Sequence, residues 1–447
     1  MSSTALLFGL PPIWGLAPLL LYILLAFKKG MHPVVNVVIC VVFGAVIVAP
    51  TPLGALQNLL GLGTTIYKSL GSFLGLVGLI IMLGSGLGMV LRQTGVAKNI
   101  VNMLMRKIGV KTQKRAILAT MACSIILVTL LGTLAGANAV IAPIVIPLVA
   151  AVGITPSTLA IIFMGAGQTG LFLGPFTPPM VTLMGITGLS YPQVMLSAGL
   201  PIALVMWVGT FLIALRNQKL TEGVESFGAE EIAGSVEDYI PTPVEQRATT
   251  AFLLSMAIMV GIGIYTRGGA AYVILVMLVV AVVTGLVARM GAGEIFDNMM
   301  EGCGKLVWLF FMFIVFDPFL NFVVKSGAFD ALVALIEPAV TSAGKVGFVL
   351  LTCLVGVFGI NGAAVAQALM IDQLFNSFLP ILNISPQLWA AIVLVGHQIT
   401  SYAYPGVDMI GAMGLAHSKN VKAMLRLGYI AIIPGTIAMC CLLSFFM

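Results

Sequence analysis

The apolar stretch ITPSTLAIIFMGAGQTGLFLGP, from Ile154 to Pro175, returns 230 residues later as ISPQLWAAIVLVGHQITSYAYP, from Ile384 to Pro405. Ile154, Pro156, Ala160, Ile162, Gln168 and Pro175 recur as Ile384, Pro386, Ala390, Ile392, Gln398 and Pro405. An apolar run that ends in Gln, small residues, aromatics and Pro, and then resumes as a second apolar run, predicts a discontinuous transmembrane helix. Two copies of it restrict the chain to folds built from two related halves.

With 60% hydrophobic and 8% charged residues and a mean hydropathy of +1.14, the chain must use lipid as its solvent. The first apolar run has no positive charge before it, and Lys28 and Lys29 follow it. It reads as a retained span with its N-terminus outside, not as a signal peptide. The six cysteines lie in apolar stretches with no metal-ligand or paired spacing and read as inert packing residues. The net charge of +6 sets topology and implies no nucleic-acid partner.

Spans are predicted over about 11–27, 34–49, 71–91, 156–189 (broken) and 192–215. A matching set covers about 251–265, 271–288, 305–324, 386–415 (broken) and 421–446. Between the third and fourth members of each set lies an apolar segment with a small-residue interruption, 115–152 and 345–382, read as a re-entrant hairpin with its tip at Gly136–Asn138 or Gly359–Asn361. The expected fold is therefore an all-α polytopic membrane protein of two inverted-topology repeats, 1–215 and 248–447. It has about ten transmembrane helices, two of them broken, plus two hairpins, and an acidic linker at 216–247.

The loop from Arg92 to Arg115 carries seven basic residues and is assigned to the cytoplasm. The linker and the first hairpin then fall on the cytoplasmic side, and both termini and the second hairpin fall outside. An odd number of spans separates equivalent positions, so the repeats run in opposite directions. LRQTGVAKNI after the third span also matches VVKSGAFDAL after the eighth, with Thr94 and Gly95 opposite Ser326 and Gly327.

The layout of three spans, hairpin, broken helix and span, with GPFTPPM after the first break, resembles the ion transporter superfamily of secondary carriers. It is most similar to the gluconate permeases, through GLGMVLRQTGVAKNIVNMLMRKIG and ISPQLWAAIVLVGHQITSYAYPGVD. The Ser-Asn-Thr hairpin signature of the divalent-anion/sodium symporters is replaced by GAN and GIN. The resemblance implies symport or exchange of a small carboxylate, a gluconate-like sugar acid or a di- or tricarboxylate. It further implies a proton or sodium gradient as the driving force, alternating access in a bacterial-type cytoplasmic membrane, and a homodimer. It implies no cofactor beyond sodium as a coupling ion.

Intramembrane polar residues are the candidate site. Asn138, Asn361, Gln168 and Gln398 sit at the predicted hairpin tips and breaks, and Thr169, Thr177, Thr400, Ser401 and Tyr404 flank the breaks. Together they could line a substrate cavity, although Ser and Thr also bond back to their own helices. Asp372 in ALMIDQLF, Asp408 in YPGVDM, Asp317 beside Pro318 and His397 are the candidates for taking a proton or ligating sodium. Each has a structural alternative, which for Asp408 is an N-cap of the resumed helix. The first break carries no ionisable group, so coupling is expected at the second. The chain has no HExxH, nucleophile elbow or metal-ligand cluster, which argues against an enzyme. The main rival function is a sodium/proton antiporter with no organic substrate.

Overall fold

The computed structural model describes residues 6–26, 32–228, 240–357, 359 and 364–447. Among them every regular element is a helix. In the first half these are α1 (Ala17–Ala26), α2 (Pro33–Ile47), α3 (Pro52–Leu60), α4 (Leu62–Ser69), α5 (Phe73–Gln93) and α6 (Val96–Ile108). They are followed by α7 (Gln113–Leu131), α8 (Leu134–Ala150), α9 (Pro156–Leu173), α10 (Pro178–Thr187) and α11 (Tyr191–Thr221). The second half has α12 (Pro243–Thr266), α13 (Tyr272–Val287), α14 (Ala292–Gly304), α15 (Val307–Lys325) and α16 (Ala328–Val357). It closes with α17 (Ala364–Phe375), α18 (Pro386–Gln398), α19 (Val407–Leu415) and α20 (Val421–Phe446).

Eight of these helices are long and apolar enough to cross a bilayer, and the protein is an integral membrane protein. Six of the eight coincide with expected spans. The other two are α7 and α16, in segments read as hairpins and their approaches. α16 is not one straight rod, because Gly344 at φ +66°, ψ −169° divides it where α6 and α7 separate in the first half. Expected spans at α1, α2 and α13 are shorter apolar helices. The amphipathic helix α6 lies in the segment expected as a loop, and α3, α4 and α14 lie between expected spans. Their polar faces hide them from a hydropathy scan, although their apolar residues recur at helical spacing.

The same backbone punctuation recurs in both halves. Left-handed Gly95 and Gly327 precede α6 and α16, Gly153 and Asn383 precede the broken helices, and Gly188 and His417 close their second parts. α11 and α20 each contain a π-helical turn, Met195–Gly199 and Leu427–Ile432, just before Pro201 and Pro434. A proline ring collides with the carbonyl four residues earlier, and the wider π turn relieves that contact. Gly199 and Gly428 in these turns rest on the carbonyls of Phe172 and Tyr402, where an added Cβ would stand 2.3 and 2.2 Å from the oxygen. These two carbonyls occupy the same place in the two broken helices.

The first hairpin turns at Gly132 and Thr133, so Asn138 lies within α8, not at the tip. The second return arm is described from Ala364 to Phe375. Asn361 lies outside the described residues.

The halves interlock. α19 packs on α9 and α8 of the first half, and α10 packs on α18 and α17 of the second, so each half's resumed helix sits against the other half's hairpin and broken helix. At one end of the molecule Glu225 accepts from Asn420 Nδ2 at 2.7 Å and from the Ser157 amide at 3.2 Å, and Gln113 Nε2 donates to Glu222 at 2.8 Å. The linker's start, the base of the first hairpin and the loop before α20 therefore share a side, as the charge distribution requires.

Small residues set the closest approaches. A Cβ on Gly356 would stand 1.8 Å from the Gly396 oxygen, whereas Gly411 has open space. Gly356→Ala should destabilise the purified protein by about 1–3 kcal/mol, and Gly411→Ala should leave thermal unfolding unchanged or raise its midpoint.

Candidate functional site

Proline opens both helices. Gly174 and Thr177, before Pro175 and Pro178, adopt extended ψ angles of 130° and 148°, and Tyr404 before Pro405 has ψ 160°. The residue before proline is driven out of the helical region, and proline itself supplies no N–H, so the last carbonyls of each first part lose their helical donors. In lipid those carbonyls must find partners within the protein.

They find them from neighbouring elements. Leu173 O accepts from the Tyr191 hydroxyl at 2.8 Å, and its counterpart Ala403 O accepts from the Tyr429 hydroxyl at 2.5 Å. The two tyrosines stand at different places on α11 and α20, yet cap the same carbonyl position. Gly170 O accepts from Thr129 Oγ1 at 3.1 Å, and Thr177 Oγ1 reaches Leu171 O at 2.6 Å and Gly174 O at 2.8 Å. Thr169 donates to Ala166 O within its own helix. Thr177 thus completes the broken backbone, whereas Thr169 bonds back within the intact helix.

The hairpin amides do related work. Asn138 is buried, donates to Phe163 O on α9 at 3.0 Å and accepts from Ser124 Oγ on α7 at 2.8 Å. Its counterpart in the second half is Gln367, 229 residues later, whose Nε2 donates to Gly396 O and Thr400 Oγ1 at 2.9 Å each. Thr400 also donates to Gly356 O, binding α16, α17 and the second break together. Gln367 was missed because the Gly-x-Asn match pointed to Asn361. A constant offset of about 230 identifies it.

Three candidates converge across the halves. Ser401 Oγ donates to Asp408 Oδ2 at 2.9 Å, and Gln168 Nε2 of the first half approaches the same oxygen at 3.5 Å. Gln168 is buried, and its Oε1 has no partner among the described residues. Asp408 sits in the first turn of α19 behind Gly406, which holds the N-cap position, so Asp408 does not cap the helix with its side chain. Its negative charge is favoured there by the helix dipole. Two neutral donors meet only part of a carboxylate's demand in a low-dielectric site, and among the described residues no basic side chain pairs with it. A carboxylate, a hydroxyl and an amide whose oxygen has no partner among the described residues meet here, groups that suit a proton or a hard cation.

The remaining candidates stand apart. His397 is buried with Nδ1 2.6 Å from Val393 O and Nε2 without a partner among the described residues. Gln398 lines a cavity of about 10 Å³ with Phe172 and Tyr402, room for about one water. Tyr404 donates to Gly359 O at 2.5 Å across the second hairpin tip. Asp372 accepts from Trp389 Nε1 at 2.8 Å, tying α17 to α18. Asp317 accepts from Ser69 Oγ at 2.8 Å and from Asn321 Nδ2 at 3.2 Å, tying α4 to α15.

Removing a capping hydroxyl leaves a buried carbonyl unpaired. Tyr429→Phe and Tyr191→Phe should each cost about 1–3 kcal/mol of stability, and the double variant should be close to additive, read from thermal unfolding in detergent.

Residues 13–216 match the sequence model of the Na+/H+ antiporter family, which covers less than half of the chain and includes Gln168 and the first break but not Asp408. No curated protein matches the chain in sequence. The fold is similar to that of Neisseria gonorrhoeae MtrF, described with a class of antimetabolite efflux pumps, at a TM-score of 0.62 and 17% identity over 94% of this chain and 96% of that one. It is also similar to the Alcanivorax borkumensis YdaH transporter, at a TM-score of 0.54 and 17% identity over 98% of each chain. These matches are to membrane transporters and not to enzymes, and none singles out the gluconate permeases. The chain is an integral membrane protein whose fold is similar to that of these two transporters.

Proposed function

We propose that the protein is a secondary active transporter in which Asp408 exchanges a proton for a small cation, sodium above all. The observation that carries this reading is the meeting of Asp408, Ser401 and Gln168 where the broken helices of both halves approach each other. The cluster offers a carboxylate, a hydroxyl and a side-chain amide, and no arginine or lysine pairs with it among the described residues. A site built for a carboxylate would need a positive partner or convergent free amides. The likeness of 13–216 to the Na+/H+ antiporter family supports the same direction.

In this reading the two halves run in opposite directions, the basic loop 92–115 and the linker face the cytoplasm, and alternating access moves the shared site between the two sides. Transport of a small organic solute, such as a carboxylate, driven by the same cation is the second reading. It rests on the likeness to MtrF along nearly the whole chain. A homodimer in the cytoplasmic membrane completes the proposal.

The test is purified protein in liposomes loaded with a pH-sensitive dye. A sodium pulse, with no organic solute present, should alkalinise or acidify the lumen according to the imposed gradient. Asp408→Asn should abolish the response while eluting as a folded protein, and Ser401→Ala should raise the half-saturating sodium concentration by about tenfold at most. Wild-type liposomes that stay silent to sodium, lithium and potassium but accumulate a carboxylate would replace antiport by the second reading. An Asp408→Asn protein that works normally removes Asp408 from coupling under either.

A further inference from the structure

A cavity of about 580 Å³ lies away from Asp408, between α10, α11, α12 and α13. One wall includes Val260, Gly263 and Ile264 of α12, at the i, i+3, i+4 spacing of one apolar face. Arg267, exposed and left-handed at φ +52°, follows the helix as its C-cap and also lines the cavity. The facing wall comes from Met184 and Gly185 at the end of α10, and the floor reaches Pro175 and Phe176 of the first break. The volume is that of a ligand pocket rather than of a packing defect.

Arg267 is the only charged side chain lining the cavity, and among the described residues no carboxylate pairs with it. The outward face of α12 leaves Leu254, Ile258 and Tyr265 exposed, Tyr265 by 90%, which for a span means contact with lipid. An exposed tyrosine beside an arginine at the end of an apolar helix marks the boundary between hydrocarbon and water. An exposed cation at that boundary, beside an apolar slot, is complementary to a molecule with an acidic head and an apolar body.

We propose that this cavity binds an amphipathic anion, its acidic group on Arg267 and its apolar part between α12 and α10 beside the first break. Two sources share that chemistry: a membrane lipid with an anionic head, and a water-soluble acid with an apolar chain. Because the floor is the first break itself, an occupant there touches the element that must move when the site changes sides. The proposal stands apart from cation exchange at Asp408, and either can fail alone.

The test uses the full chain in nanodiscs of equal phosphatidylglycerol and phosphatidylcholine, with retained lipids weighed by native mass spectrometry. A second arm titrates the protein in detergent with decanoate. Wild type should retain phosphatidylglycerol over phosphatidylcholine or bind decanoate, and Arg267→Gln should weaken whichever anion binds by about tenfold or more. Val260→Trp, which fills the slot and leaves the charge, should do the same, so the outcome does not hang on one variant. Phosphatidylglycerol retention identifies the lipid source and decanoate binding alone the soluble one. Equal retention of both lipids with no decanoate binding, or anion binding unchanged in both variants, overturns the proposal.

Discussion

The structure turns on carbonyl groups that proline strips of their helical donors inside a lipid-embedded protein. At Leu173 and Ala403 the last carbonyl before each break would be an unpaired polar group in a water-poor interior, at several kcal/mol each. Tyr191 and Tyr429 supply the missing donors from the following span, and Asn138 and Gln367 hold nearby carbonyls from the hairpins. The π turns before Pro201 and Pro434, with Gly199 and Gly428 against the same helices, let those spans come close enough to do so. Hairpin, broken helix and following span are therefore one unit in each half, held by the need to satisfy one interruption.

The two units are alike in backbone and unlike in chemistry. Pro178 occupies the first-half place of Asp408, and Gly167 that of His397. The first hairpin packs closely there: a Cβ at 167 would stand 2.3 Å from Leu134 Cδ1 and 3.1 Å from Ser124 Oγ, so a side chain at 167 would require Leu134 to move. The first half gives the site a buried amide, Gln168, and the second gives the carboxylate. A cluster so divided is complete only when both halves are in contact, and the proposed exchange depends on that contact.

Much of this was legible in the sequence. The offset of 230, the prolines and the apolar runs located both breaks, and Ser401 and Asp408 were named from their places around the second one. Two things escaped. The amphipathic helices α3, α4, α6 and α14 were hidden because they are short and carry polar residues among the apolar ones, and Gln367 because a three-residue match outweighed a constant offset. The capping tyrosines carry no repeat signal at all, since Tyr191 and Tyr429 reach equivalent carbonyls from positions two helical turns apart in the alignment.

The sequence by itself determined that the chain lives in lipid, is all helical, has two related halves and breaks one helix in each, because hydropathy, proline chemistry and repetition are local and read along the chain. Only the tertiary structure decided which polar side chains are spent on the backbone and which are not. Asn138, Thr169 and Thr177 proved to be partners of carbonyls, Asp372 and Asp317 ties between helices, and Gln168 and Asp408 neighbours across 240 residues. The physical reason is that a polar group in a membrane protein is defined by what satisfies it, and its partner comes from another element whose approach no local pattern records.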